Sequence, residues 1–354
     1  MTSGGMTGLR DLVEEGLAAG LYSGAAAGIV TPDSRQLEYV GTHAYGDDRP
    51  VTADSLFDLA SVTKTFTAAV LLRLVEEGRV RLDDPVGRVL PVGSGPGASE
   101  ITLRMLLTHT SGLPAISFLW RDSPGLAPEE RLAGVLATEL ESAPGAEYRY
   151  SCLGYIGAAA YAKKVTGIRL ERLLDELVAG PLGLGSVGYG PVDATAAVAT
   201  EEEPWAQRGL VRGEVHDETS WFLGGRTGNA GLFGTAGDVL NFAGSFVRGD
   251  LLGPESLTSA VSDQLSASLG AEYGQGLGPR IGDKDIFGDV QAFGHPGFTG
   301  TLWFVIPEAR TAAVLLTNRV HPSRDRVDLD PFRRRFVEWV ALAGGDGSMA
   351  SAVP

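Results

Sequence analysis

The sequence predicts an α+β fold in which an antiparallel sheet, built from both chain ends and flanked by helices, receives an inserted all-helical domain. Three observations predict it. Strand-like runs rich in β-branched and aromatic residues cluster near the two ends, at 24–30 and 36–45 and again at 291–294, 301–306 and 312–318. The stretch between them carries helical periodicity at 102–109, 127–140, 151–164 and 169–179, with no convincing strand to interrupt it. With 354 residues and 44% hydrophobic content the chain can bury a large core as one large domain or two interlocked ones. The expected division is a discontinuous sheet domain, 1–62 with 225–354, and a helical insert, 63–224.

The elements follow in order. Residues 9–19 place Leu9, Leu12, Val13 and Leu17 on one helical face, and the first two strands flank a Thr31-Pro32-Asp33 turn. From Thr63 a helix runs through Phe66, Ala69, Val70, Leu72, Leu74 and Val75 until Gly78 stops it. Its apolar residues fall on nearly all sides, which predicts burial all round. The insert is punctuated by Gly93–Gly97, Pro144-Gly145 and Pro181-Leu182-Gly183. After an irregular return from Pro191 to about Gly231, a helix is expected at 235–248. The last helix starts at Asp330-Pro331 and buries Phe332, Phe336, Trp339 and Val340, leaving Gly344–Pro354 as a disordered tail.

Composition excludes several classes of function. The net charge of −15 argues against nucleic acid or an anionic membrane as partner, because either needs a basic face. Met1–Met6 lacks a basic segment with an apolar run behind it, and nothing approaches the ~18 apolar residues of a membrane span, so a cytoplasmic location is expected. A lone cysteine, Cys152, excludes an internal disulfide and fits a reducing compartment.

Chemistry is suggested first at Ser61-Val62-Thr63-Lys64. On a helix, residues three apart share a face, and Ser61 at the first turn lies where free backbone N–H groups favour a developing anion. Burial should lower the Lys64 pKa toward a neutral amine able to take a proton from a hydroxyl. Ser61 is then a nucleophile with a base beside it. A serine at a helix start with a snorkelling lysine is the structural alternative.

Tyr148-Arg149-Tyr150-Ser151-Cys152 follows a turn and opens a helix, which can aim a tyrosine into a cleft as a base or simply bury it. Phe293-Gly294-His295-Pro296-Gly297-Phe298 opens an inner strand, and the Phe298 N–H paired with that of Ser61 would make a two-donor oxyanion hole. His295 fits a core residue, an orienting group or a ligand; with five histidines and no metal-ligand spacing, no metal is expected. His216-Asp217-Glu218 reads as a hydrogen-bonded turn, and His109 as a helix-end residue that satisfies nearby backbone groups. Gly183–Gly188 matches a dinucleotide fingerprint by letters only, since it follows a helix rather than a strand, and no cofactor is expected.

In this order, Ser61-Val62-Thr63-Lys64, Tyr150-Ser151-Cys152 and His295-Pro296-Gly297 resemble the serine β-lactamase and penicillin-binding-protein superfamily, particularly its class C-like branch of DD-peptidases, esterases and acyltransferases. Leu82–Val86, Leu106–Gly112, Gly228–Phe233 and Leu315–Asn318 are similar to that branch as well, over about residues 10 to 340. The resemblance implies a β-lactamase/transpeptidase-like fold with Ser61 as acylated nucleophile, Lys64 as assisting base and Tyr150 as proton shuttle. It also implies an oxyanion held by the N–H groups of Ser61 and Phe298. His295 stands where the family's Lys-Thr-Gly strand has lysine, as in esterase-like members, and would line the substrate site with Gly297.

One position departs from the pattern. Cys152 replaces the family's asparagine, whose amide contacts the lysine and the substrate's acyl amide, and none of the chain's three asparagines (229, 241, 318) is expected nearby. A thiol cannot replace both hydrogen bonds of an amide. The expected activity is therefore an esterase-like serine acyl hydrolase or acyltransferase on a small acyl substrate. A DD-peptidase or β-lactamase, or a non-catalytic binding protein on the same fold, are the alternatives.

Overall fold

The central strands of a seven-stranded antiparallel sheet are buried on both faces, because helices cover both. The computed structural model describes residues 8–345. α1 (Leu9–Ala18) leads into β1 (Gly24–Val30) and β2 (Arg35–Gly41). β3 (Phe57–Asp58) runs through a 3₁₀ turn, Ala60–Val62, into α2 (Thr63–Glu76). The helical stretch that follows includes α3 (Cys152–Thr166) and ends near β4 (Gly188–Tyr189). After α4 (Glu218–Phe222), β5 (Leu232–Gly234) and α5 (Ala236–Arg248) come β6 (Gly274–Gln275), β7 (Arg280–Ile281), β8 (Phe293–Pro296), β9 (Leu302–Ile306) and β10 (Thr311–Thr317). α6 (Asp330–Gly345) closes the described chain.

The large sheet has the order β2-β1-β10-β9-β8-β7-β6, so strands from both chain ends meet inside it, where Ala27 pairs with Leu315 and Gly28 with Val314. Because successive strand side chains point to opposite faces, Ala25, Ala27, Ile29, Phe304 and Leu315 pack with Leu12 of α1 and Phe336 of α6. Ala26, Trp303, Val305, Val314 and Leu316 pack on the other face with Phe66 of α2 and Phe242 of α5. Phe66 and Phe242 stack with centroids 3.8 Å apart, and the Trp303 indole N–H donates to Thr65 Oγ1 at 3.1 Å. These contacts fix α2, and with it Ser61, against the sheet.

The predicted helices and long strands are present with ends shifted by a few residues. The expected strand 291–294 falls at Phe293–Pro296, and 36–45 stops at Gly41, where the left-handed φ of 74° turns the chain. The helix expected at 169–179 is α-helical only over Leu170–Leu174 and then widens into a π turn over Asp175–Ala179. Gly344 and Gly345, expected in a tail, belong to α6; the rest of that stretch lies outside the described residues. A second sheet, β3-β5-β4, is made of strands of two or three residues, too short for a period to show in sequence. No described helix is long and apolar enough to cross a membrane.

Candidate active site

Ser61 sits on the 3₁₀ turn that joins β3 to α2, in a backbone held under strain. Ala60, just before it, adopts φ 46°, the left-handed region that costs a non-glycine residue about 1 kcal/mol or more. Asp58 sustains this conformation: its Oδ1 accepts the Ala60 N–H at 2.8 Å and its Oδ2 accepts the His216 N–H at 2.7 Å. Burial pushes the Asp58 carboxyl pKa up, while those two bonds oppose the rise. His216-Asp217-Glu218, expected as a hydrogen-bonded turn, leads into α4 instead: Glu218 is the first helical residue and Asp217 caps the helix through the Ser220 N–H at 2.7 Å.

Lys64, the second residue of α2, is completely buried. Its Nζ donates to Ser61 Oγ at 3.0 Å, to the Asn229 carbonyl at 3.3 Å and to Cys152 Sγ at 3.5 Å. Burial alone would lower its pKa, but the negative forms of Cys152 and Tyr150, a Tyr150 hydrogen bond and Asp217 outweigh it, and the net direction is up. This corrects the sequence expectation of a lowered lysine, which counted desolvation and not the groups that the fold brings to it. The Cys152 thiol is itself pushed up, chiefly by burial.

Tyr150 enters from the loop before α3, and Lys64 Nζ lies 4.9 Å from its ring centre. The Arg280 guanidinium lies at the same distance from that ring. His109 fixes the backbone on both sides of Tyr150: its carbonyl accepts the Arg149 N–H at 2.8 Å and its Nδ1 accepts the Ser151 N–H at 3.0 Å. Its ring lies tilted by 38° against that of Tyr150, with centroids 4.5 Å apart. His109 does satisfy backbone groups as expected, and in doing so it sets a residue of the site.

The turn after β8 supplies the opposite wall. Gly297 is required there, because a Cβ would lie 2.0 Å from Thr301 Oγ1 and 2.7 Å from the Leu59 carbonyl. The Phe298 ring is 46% exposed, with the Arg319 guanidinium 4.6 Å from its centre. His295 does not line the cleft as expected. It is fully buried, its Nδ1 donates to the Pro296 carbonyl at 2.7 Å, and its ring stands 6.0 Å from that of Tyr150. Both residues are buried in β8, but Pro296 borders the cleft while His295, one residue earlier, points to the opposite side of the strand.

The cleft itself, about 340 Å³, is lined by Ser61, Tyr150, Arg280, Pro296, Gly297, Phe298 and Arg319 among others. A larger apolar groove of about 520 Å³, beside Phe246, Leu257 and Phe293, includes none of these groups. Sequence reasoning missed four residues here: Asp58, Asn229, Arg280 and Arg319. Asn229 is a correction as well, since no asparagine was expected near Cys152, yet its carbonyl accepts from Lys64 and its amide nitrogen donates to Asp217 at 3.3 Å. Only a local cue, the Gly228-Asn229-Ala230-Gly231 stretch, marked it in the sequence.

Glu201, Glu203 and His216 form a buried cluster whose ligand-type atoms lie within 4.8 Å of one another. Arg324 already provides a cation there, with Nε 2.6 Å from Glu201 Oε2 and Nη2 2.8 Å from Glu218 Oε1.

Ser61 with Lys64, Tyr150 from the helical region and a wall from the inner strand converge on one cleft, and the beta-lactamase family profile matches residues 9–338. The chain belongs to the beta-lactamase family. Among curated relatives of this beta-lactamase-family chain is a putative D-alanyl-D-alanine carboxypeptidase of Escherichia coli O157:H7. The two are 28% identical over 323 residues, covering 80% of this chain and 74% of the relative. In fold it is similar to EstCE1, a hydrolase with promiscuous acyltransferase activity (TM-score 0.76, 21% identity, 93% and 96% of the two chains). It is also similar to a D-amino acid amidase from Ochrobactrum anthropi SV3 (TM-score 0.74, 21% identity, 94% and 98%).

Proposed function

We propose that this chain is an esterase-like serine acyl hydrolase or acyltransferase that works through an acyl-enzyme on Ser61. The observation that carries the reading is the 3.0 Å contact between the Nζ of a fully buried Lys64 and the Oγ of Ser61, which itself lines the cleft. Ser61 Oγ attacks the acyl carbonyl while its proton passes to the Tyr150 oxygen, ionised beside the Lys64 ammonium, and the leaving alcohol takes that proton back from Tyr150. Backbone N–H groups of Ser61 and Phe298 receive the negative charge that develops on the carbonyl oxygen. Among the described residues, no group accepts from the Phe298 N–H. Water or another acceptor then releases the acyl group from Ser61.

Peptidase action on an amide is the second reading, favoured by the carboxypeptidase names of the curated relatives. Cys152 favours the ester reading, because its thiol offers a substrate amide a weaker partner than an asparagine amide would. A fluorophosphonate probe should label the protein once, on Ser61, as read by intact-protein and peptide mass spectrometry, and the protein should hydrolyse p-nitrophenyl butyrate. Labelling that persists in Ser61→Ala overturns the reading.

A further inference from the structure

The turn that presents the Phe298 N–H is fastened at almost every polar group. Gly297 N–H donates to the Thr301 carbonyl at 2.7 Å, and the Thr299 and Thr301 hydroxyls donate to the carbonyls of Asp58 and Leu59 at 2.8 and 3.0 Å. The last two bonds tie the turn to the residues just before Ser61. Thr317 Oγ1 donates to the Gly300 carbonyl at 2.9 Å, and Arg319 Nε to the Phe298 carbonyl at 3.0 Å. One residue comes from much further along the chain. Arg333, on the first turns of α6 and only 6% exposed, sends Nη2 to the Gly297 carbonyl at 2.7 Å and to the Thr301 carbonyl at 3.1 Å. Its Nη1 is paired with Asp330 at 2.7 Å.

The Gly297 carbonyl and the Phe298 N–H belong to the same peptide group. A cation bonded to the oxygen of a peptide draws electron density toward that oxygen and leaves the N–H a stronger donor, the cooperative effect by which hydrogen bonds in a chain reinforce one another. The Gly300 N–H adds a second donor to the same oxygen at 3.1 Å. We propose that Arg333 is a positioning residue of the catalytic site: from the C-terminal helix it holds and polarises the Gly297–Phe298 peptide so that Phe298 N–H stabilises the oxyanion. The inference rests on the acyl-enzyme reading above. Ser61 has a different support, since the carbonyl of its own peptide, that of Ala60, accepts the Thr63 N–H at the start of α2. Among the described residues, the Phe298 side is the one whose own peptide oxygen takes a bond from a charged side chain. α6 therefore contributes to turnover although its apolar face serves the core.

The rival role for Arg333 is a bolt between α6 and the sheet, with no bearing on the reaction. Phenylboronic acid separates the two, because its adduct with Ser61 places an oxyanion in the hole without turnover. Arg333→Met removes the bonds, and Arg333→Lys keeps the charge without the fork that spans two carbonyls. Removing an oxyanion donor outright costs about 10² to 10³ in kcat; weakening one should cost roughly 10- to 100-fold. With sites counted by fluorophosphonate titration, both variants should lose kcat on p-nitrophenyl butyrate by that factor, with KM within about threefold. The phenylboronic acid Ki should rise in parallel. Arg333→Lys, the gentler change, carries the test if the Met variant fails to fold. An unchanged Ki in folded Arg333→Lys, or a loss confined to KM, overturns the inference and leaves the acyl-enzyme reading standing. Failure of the parent to label on Ser61 brings down both.

Discussion

Replacing Lys64 by Met separates the chemistry of this site from its stability. The side chain keeps its length and apolar stem while losing the ammonium that touches Ser61 Oγ, the Asn229 carbonyl and Cys152 Sγ. Two large effects on stability oppose each other. Hydrogen bonds from a charged donor contribute about 1.5–3 kcal/mol each, and only two of the three acceptors here are oxygens. Keeping a completely buried charge costs several kcal/mol of desolvation in return. The difference should stay within about 2 kcal/mol, or roughly 5 °C in Tm, in either direction. Turnover has no such compensation. Loss of a group that acts as a unit with the nucleophile should lower kcat on p-nitrophenyl butyrate by roughly 10³ or more, about 4 kcal/mol of activation free energy. Thermal unfolding and steady-state hydrolysis measured on the same preparation decide the matter. Activity within tenfold of the parent refutes the catalytic role, and a Tm lower by more than about 10 °C marks Lys64 as a structural residue.

Tyr150→Phe should lower kcat by about 10² to 10⁴ with a smaller effect on KM, as expected for a lost proton-transfer group; steady-state kinetics within twofold of the parent would remove Tyr150 from the mechanism. Cys152→Asn should raise the ratio of nitrocefin acylation to p-nitrophenyl butyrate hydrolysis by a factor of ~5 to 150, since a substrate amide then meets a partner, and an unchanged ratio would show that this position does not set substrate class. Glu203 is pushed up to about 7, chiefly by burial. A carboxyl raised in the folded state contributes stability at low pH that is lost as pH climbs from its ordinary value near 4.5 through about 7, so Glu203→Gln should gain stability over the parent between pH 5 and 8, by at most about 3 kcal/mol, as read by urea unfolding.

The long elements were legible in sequence because each buries one face or all of its surface, as Leu12 and Val13 of α1 or Phe332 and Phe336 of α6 do. Ser61, Lys64 and Tyr150 were legible because short motifs hold them at the starts of helices. The rest of the site is assembled from residues far apart in the chain. Asp58 meets His216, Lys64 meets Asn229, and Arg333 meets Gly297, and no local pattern announces such contacts. The protonation of Lys64 was misjudged for the same reason: its burial could be read from α2, but Cys152, Tyr150 and Asp217 reach it only through the fold. His295 was expected to line the cleft from the resemblance alone, and its burial against the Tyr150 ring depends on packing that no local pattern shows.

The two histidines beside Tyr150 limit which groups can move protons. Hydrogen bonds fix opposite tautomers: His109 accepts at Nδ1 and so carries its proton on Nε2, whereas His295 donates from Nδ1 and leaves Nε2 bare. Both Nε2 atoms are buried without a hydrogen-bond partner among the described residues. Burial is the main reason that both rings are held well below the usual histidine range, and Lys64 and Arg280 push the same way. Charging either ring would put a third cation against a tyrosine that already has Lys64 and Arg280 at 4.9 Å. At neutral pH neither histidine can hold the Ser61 proton, even transiently, without that repulsion. Arg280 cannot act as an acceptor at all, since burial lowers its pKa less than Tyr150, Tyr273 and Asp283 raise it. In the mechanism proposed above, proton transfer then falls to Ser61, Lys64 and Tyr150, and the histidines serve by shape: His109 by clamping the backbone on either side of Tyr150, His295 by filling the space behind its ring.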